Sequence, residues 1–455
     1  MNSRTDLRFS GPWSQLAILL LVSMGIRIAL SPILMNTADR HDYMSTAHKA
    51  MKFGIAGYYE PSKGYQGPKS ESGLRGVPLP YPPIQIYSYQ LAGRIYQKFF
   101  DSTFYDHTLW KQLPFDSLPL NYLIKLPLFL FELLLTAAIF LFLRQRSGDR
   151  VALACAALYS LNPAVLYDGA LWAQPDSIHS TFVALSVIAL IMRKPEVSAP
   201  MLVLALLSKP QPIIFVPIVI LLVLIMGSLK QVAIAALSSI VTGLLVLLPM
   251  LIQDPHSIAN MLSVMSRSNT CVSANAHNFW WLVVSLGGGA PKEVEDGTIV
   301  FWGVSCFAIA MLMVGSFYAG AAMGIIKRAR ERLSAEHFAY LGLIFFVFAV
   351  RMHENHAMQV LPLLLLSGLA LKRQRLVFGA LSLTILANMM LHSSEIVGMQ
   401  PSRWVEWARL INSTANIAIF GFWSYELYRE FRYGEKTAVE PALEGVPSLH
   451  EGPSH

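Results

Sequence analysis

The sequence predicts an all-α fold: a polytopic transmembrane helical bundle of about twelve spans, with a helical first extracytoplasmic loop. Three observations carry this expectation. Of 455 residues, 54% are hydrophobic and only 14% charged, at a mean hydropathy of +0.47, a balance foreign to ordinary soluble domains of this length. Apolar stretches close to the roughly 20 residues needed to cross a bilayer recur along the chain. Arginine and lysine gather at alternate connections between them, as the positive-inside rule requires.

The first apolar stretch, 13–35, follows only Arg4 and Arg8 and has no small-residue cleavage site, so it reads as an uncleaved anchor. Further stretches lie at 121–143, 151–167, 175–192, 211–227, 231–252, 299–326, 336–350, 357–371, 376–392 and 408–428. A shorter one at 198–208 reads as a tilted or half-length span. Residues 1–430 are therefore expected to form one integral membrane domain, with 36–120 as a first outer loop carrying interfacial helices. The polar stretch 431–455 reads as a disordered cytoplasmic tail.

The net charge of +7 is explained by topology rather than by a nucleic-acid partner. Cations cluster at Arg144, Arg146 and Arg150, at Arg193 and Lys194, at Lys230, at Lys327, Arg328, Arg330 and Arg332, at Lys372, Arg373 and Arg375, and at Arg429, Arg432 and Lys436. With Arg4 and Arg8 these define the cytoplasmic side. The other face receives the loop 36–120, the turn 168–176, the junction at Lys209, the loop 253–298 and the stretch 351–356. Every unusual polar cluster thus falls on one side. Cys155, Cys271 and Cys306 are scattered and indicate neither a disulfide framework nor a metal cluster.

The first loop opens N-T-A-D-R-H-D-Y. Asp39 and Asp42 read either as helix caps or as a base that takes a proton from a bound hydroxyl near the membrane surface. Tyr43 to Gly54 has the Lys and His face of an amphipathic helix lying in the interface. In V-P-L-P-Y-P-P-I, Pro82 and Pro83 set a helix start and leave Tyr81 extended at the mouth of the loop.

The turn Y-D-G-A-L-W-A-Q-P-D-S-I-H places Asp168, Trp172, Gln174, Asp176 and His179 at a rim, where Asp176 reads as a helix cap or a hydrogen-bonding group. Trp172 reads as an interfacial belt residue or a platform for a sugar ring. Lys209, in L-S-K-P-Q-P on the face where lysine is disfavoured, calls for an anion. N-A-H-N-F-W-W-L-V-V is too short to span, and His277 and Asn278 are expected only to line the site. In A-V-R-M-H-E-N-H, Arg351, His353, Glu354 and His356 stand between two apolar runs. The spacing is not the H-E-x-x-H of zinc peptidases, and no metal ligand set is expected.

Two charges lie within spans. Arg27 sits roughly 12 Å below the outer end of the first span, by the helical rise, and Glu132 equally deep in the antiparallel second. An ion pair is expected, because a lone charge there is costly. Lys125 lies on the same helical face as Glu132, nearer the surface.

A carboxylate base facing fixed cations suits in-line displacement of a phosphate leaving group by a hydroxyl: the base activates the attacking oxygen and the cations stabilise the departing phosphate. Here the motifs become informative together. The pattern over roughly residues 13–390 resembles the GT-C superfamily of membrane glycosyltransferases that use polyprenyl-phosphate sugars, which carry a catalytic aspartate in the first outer loop. D-R-H-D-Y resembles the lipid A aminosugar transferases and protein O-mannosyltransferases, in which an acidic residue precedes a tyrosine by four positions, and this selects Asp39. Dolichol-linked glucosyltransferases have an aspartate with a histidine six residues on, which matches Asp42 and His48, and also Y-P-P and H-E segments like Tyr81–Pro83 and His353–Glu354.

W-A-Q-P-D-S, L-L-S-K-P-Q and R-M-H-E-N-H are similar to W-G-Q-x-D-S, F-K-P-Q and R-M-H-E-R-Y of bacterial mannosyltransferase-like members, from which Asn355 and His356 depart. The resemblance implies a hexosyltransferase, mannosyltransferase-like, that moves one sugar from a polyprenyl-phosphate donor to an acceptor hydroxyl with inversion. It implies action at the outer (periplasmic or lumenal) face of the membrane, no obligatory cofactor or metal, and a glycan, lipid or protein acceptor. Asp39, then Asp42, would be the base. Lys209, Arg351, His353 and His356 would bind donor phosphate, Glu354 would orient His353 or a sugar hydroxyl, and Gln174, Asp176 and Tyr81 would shape the site. The competing readings are a lipid or oligosaccharide transporter or flippase, against which no internal repeat is found, and a ligase of preassembled glycans.

Overall fold

The computed structural model describes residues 11–33, 35–60, 62–63, 78–109, 112–267, 270–329, 333–393 and 403–433. Arg4, Arg8, Arg330, Arg332, Lys436 and the tail from residue 434 onward lie outside the described residues. Helices dominate, and the only extended pairs among the described residues are two-stranded and very short.

Among the described residues, four helices are long and apolar enough to cross a membrane: Pro12–Leu30, Leu118–Ser147, Leu229–Gln253 and Cys306–Arg328. Asp149–Ser160 and Pro163–Trp172, bent by 41°, make a fifth if counted as one span. The bend follows from sequence: the Asn162 side chain accepts from Ala164 N at 2.9 Å and Pro163 starts the next helix. Other expected spans correspond to shorter apolar helices, Asp176–Ile191, Pro195–Leu206, Gln211–Met226 and Ala335–Phe348.

Three expected boundaries change. The first helix ends at Leu30, five residues before the apolar run does, and Asn36 in the left-handed region (φ 50°) turns the chain into the helix Thr37–Tyr58. Residues 299–305 form a hairpin, Ile299–Phe301 with Val304–Ser305, so the following helix starts at Cys306, capped by the Ser305 hydroxyl. The stretch 357–371 holds only the six-residue helix Val360–Leu365, wholly buried. An apolar run buried inside a bundle and one facing lipid have the same composition, which is why hydropathy alone did not separate them.

The expected interfacial helix is also corrected. Tyr43 to Met51 are all buried, His48 and Lys49 included, in the helix Thr37–Tyr58, which packs against Pro83–Phe99. Backbones meet at Gly93, where a Cβ would stand 2.5 Å from the Ala47 carbonyl oxygen. These two helices form a second core beside the main one.

The ion pair within the membrane forms as expected. The Arg27 guanidinium bonds the Glu132 carboxylate and the Ser23 hydroxyl, and donates to the Ser160 carbonyl at 3.1 Å. Lys125 is fully buried, donating to the carbonyls of Ser31 at 3.1 Å and Ala170 at 2.7 Å. Both charges therefore tie the first span and the bent pair to the helix Leu118–Ser147.

Candidate active site

A cavity of about 720 Å3 gathers residues from widely separated stretches of chain. Asp39 and Tyr43 come from the first-loop helix, Tyr81 from the approach to Pro83–Phe99, Trp172 and Gln174 from the turn after the bent pair, Lys209 from the next turn, and Arg351 to His356 from the stretch after Ala335–Phe348. Most of the residues singled out from sequence therefore line one space: Asp39, Tyr81, Gln174, Lys209, Arg351, His353, Glu354 and His356. Asp42 and Asp176 do not line it.

Asp39 lies in the first turn of its helix, whose N-cap is Asn36, so it is not a cap. Its Oδ2 accepts from Trp172 Nε1 at 2.9 Å and from Gln174 Nε2 at 3.3 Å. Burial, then the negative charge of Glu354, raise its carboxyl to about 6, against the opposing pull of the Trp172 hydrogen bond. Trp172 is only 3% exposed and serves this bond, so it is not an interfacial belt residue. The turn that presents it is one turn of π-helix, Tyr167–Trp172, closed by Ala173 at φ 75°. Such irregular turns re-aim side chains that a regular helix would point elsewhere.

Tyr81 is extended ahead of the helix, as Pro82 and Pro83 require, and its backbone carbonyl accepts from the Tyr59 hydroxyl at 2.5 Å. Its own hydroxyl donates to Gln174 Oε1 at 3.4 Å.

Lys209 meets its anion within the protein. Its Nζ lies 2.8 and 3.0 Å from the two oxygens of Asp176, and 5.9 Å from the Tyr81 ring centre. Asp176 opens the helix Asp176–Ile191 without capping it, and Asp176, Asp168 and His179 are buried rather than at a rim.

The stretch 351–356 is held by backbone pairing. Met352–His353 runs parallel to Ser273–Ala274, and Arg351 N donates to the Cys271 carbonyl at 3.2 Å with Arg351 in the left-handed region (φ 63°). A non-glycine residue in that region is a local strain that its surroundings must enforce. Here the Arg351 guanidinium donates to Asp296 Oδ2 at 2.5 Å. His353 Nδ1 stands 3.6 Å from Glu354 Oε2, and Glu354 Oε1 accepts from Asn275 Nδ2 at 3.4 Å.

His356 differs from its expected part as a cation. Its Nδ1 accepts from the backbone N–H of His353 at 3.2 Å, and burial together with the nearby charges of His353 and Lys209 holds the ring well below the usual histidine range. It closes the turn as a neutral acceptor. That is a physical reason for histidine where the resembling motif has an aromatic. Asn355 donates to Asp176 Oδ2 at 2.5 Å. His277 and Asn278 do not line the cavity, against expectation: Asn278 caps Phe279–Leu286, and His277 sits in a buried cluster with His392 and Asn412.

The cavity has a second character. Ile213, Met265, Phe307, Met311, Phe345 and Val350 make one wall apolar, between the hairpin-led helix Cys306–Arg328 and the short turn Gln211–Phe215. Sequence reasoning missed this wall because its residues are ordinary apolar residues of separate stretches that meet only in the fold. It also missed Asn275 and Asp296, whose partners lie 79 and 55 residues away. Among the described residues, no three His, Cys, Asp or Glu side chains converge as a metal site.

No protein-family model matches the chain, and no curated protein matches it. Among solved structures, the chain is similar to the crystal structure of ArnT from Cupriavidus metallidurans bound to undecaprenyl phosphate. The two are 13% identical, with 91% of this chain and 72% of that chain covered at a TM-score of 0.47.

Proposed function

We propose that this protein is a membrane glycosyltransferase of the GT-C type that transfers one sugar, a mannose-like hexose, from a polyprenyl-phosphate donor to an acceptor hydroxyl at the outer face of the membrane. The observation that carries the reading is the make-up of this cavity. A carboxylate raised to about 6 shares it with Lys209, Arg351 and His353, and one of its walls is apolar. A group poised near neutrality is suited to take a proton. The cations Lys209 and Arg351 and the imidazole of His353 suit a phosphate, and an apolar wall suits a prenyl chain.

In this reading Asp39 Oδ1, the oxygen not held by Trp172, takes the proton of the acceptor hydroxyl as that oxygen attacks the anomeric carbon. The bond from that carbon to the donor phosphate oxygen breaks, its electron pair leaves with the phosphate, and the configuration inverts. Lys209 and His353 face the leaving phosphate, Arg351 fixes the wall through Asp296, and Tyr81 and Gln174 hold Asp39 and the sugar. Asp42, outside the cavity, takes no part in the step, and no residue is assigned to a metal.

Purified protein incubated with a panel of synthetic polyprenyl-phosphate sugars and a hydroxyl acceptor should release free polyprenyl phosphate from at least one donor. Asp39→Asn should abolish release while the protein still folds. Release from no donor, with lipid scrambling in vesicles, would favour a transporter instead.

A further inference from the structure

We propose that Asp176 is a positioning residue: from behind the cavity wall it clamps two separate phosphate-facing segments, the Lys209 turn and the 353–356 turn, in one register. The proposal rests on the donor-phosphate reading above and adds a residue that acts through others. Asp176 is 2% exposed and does not reach the cavity, yet its two oxygens take up Lys209 Nζ at 2.8 and 3.0 Å and Asn355 Nδ2 at 2.5 Å. Lys209 and Asn355 themselves line the cavity. One buried carboxylate therefore joins elements 33 and 179 residues away in the chain.

The chemistry gives the clamp a definite consequence. An ammonium buried to 3% exposure needs hydrogen-bond partners of opposite charge beside it. Asp176 sets both of its oxygens against Lys209 Nζ, which leaves the third N–H of that group uncommitted to the carboxylate and able to meet an entering phosphate oxygen. Asn355, where the resembling motif has arginine, supplies the amide that reaches Asp176.

The test measures binding of a polyprenyl phosphate and of the matching uncharged polyprenol to the purified full chain in detergent. Wild type should prefer the phosphate. Asp176→Asn should lose about tenfold or more of the phosphate affinity, the scale of one charge-assisted contact, with polyprenol binding unchanged. Asp176→Glu, which keeps the charge, should recover most of the preference, which a purely structural role in packing would not require. If Asp176→Asn does not fold, the double variant Asp176→Leu with Lys209→Leu removes the buried pair together; it should fold and show no preference for phosphate. Undiminished phosphate preference in Asp176→Asn or in the double variant overturns the clamp alone. A wild type that does not distinguish the phosphate from the alcohol overturns the proposed function, and the clamp with it.

Discussion

The indole N–H of Trp172 donates to Oδ2 of Asp39 at 2.9 Å, joining the turn after the bent pair to the first-loop helix across 133 residues of chain. This bond does two things. It orients the carboxylate toward the cavity, and it holds down a pKa that burial and Glu354 push up.

The pH profile follows from those opposing effects. With Asp39 raised to about 6 and acting as base, transfer should fall off below that pH. Glu354→Gln removes a negative charge that raises the carboxyl, so the acid limb should move to lower pH, by up to about one unit. Trp172→Phe removes the donor that lowers it, so the limb should move the other way. Rate measurements from pH 5 to 8 on the three proteins check the signs, and limbs that coincide would remove Asp39 from the role of base.

Asp39 should also weaken the fold it serves. Its folded-state pKa lies above the ordinary aspartate value of 3.8, so the ionised form is disfavoured by folding. The penalty is complete above about 6 and vanishes below 3.8, so stability from this group is lost as pH rises through that window. Asp39→Asn should accordingly be inactive yet more stable at pH 7 by about 1–3 kcal/mol, the shift being discounted for partial exposure. Thermal midpoints at pH 7 and pH 4 should show the gain at the first and little at the second.

The Arg27–Glu132 pair gives a separate test in the bundle. Arg27→Leu alone strands a buried carboxylate and should cost about 3–5 kcal/mol. Adding Glu132→Leu should restore most of that, since an apolar pair needs no compensation there. A double variant no more stable than the singles would mean the two side chains do not depend on each other. Gly169→Ala should resemble the single variant, because a Cβ there would stand 1.9 Å from Glu132 Oε1.

Much of the site was legible because its residues are exceptions to their surroundings. Arg27 and Glu132 are charges in apolar runs, Lys209 is a lone lysine between two such runs, and Arg351 to His356 interrupt two more. Such residues are costly unless partnered, so their presence implies partners. The fold class was legible from the long continuous apolar runs, which satisfy their backbone in lipid as helices, whereas barrel strands are short and alternate.

What sequence by itself determined, then, was a helical membrane bundle, a set of polar residues on one face, and one buried ion pair read from equal depth. Only the tertiary structure put Asp39 in the cavity lining and Asp42 outside it, set Asp176 against Lys209, turned His356 into a neutral acceptor, and brought the apolar wall to the cavity. The physical reason is range. Burial cost is written in each residue's own neighbourhood and can be read locally, whereas the group that offsets it is chosen by packing, here across gaps of 33 to 179 residues.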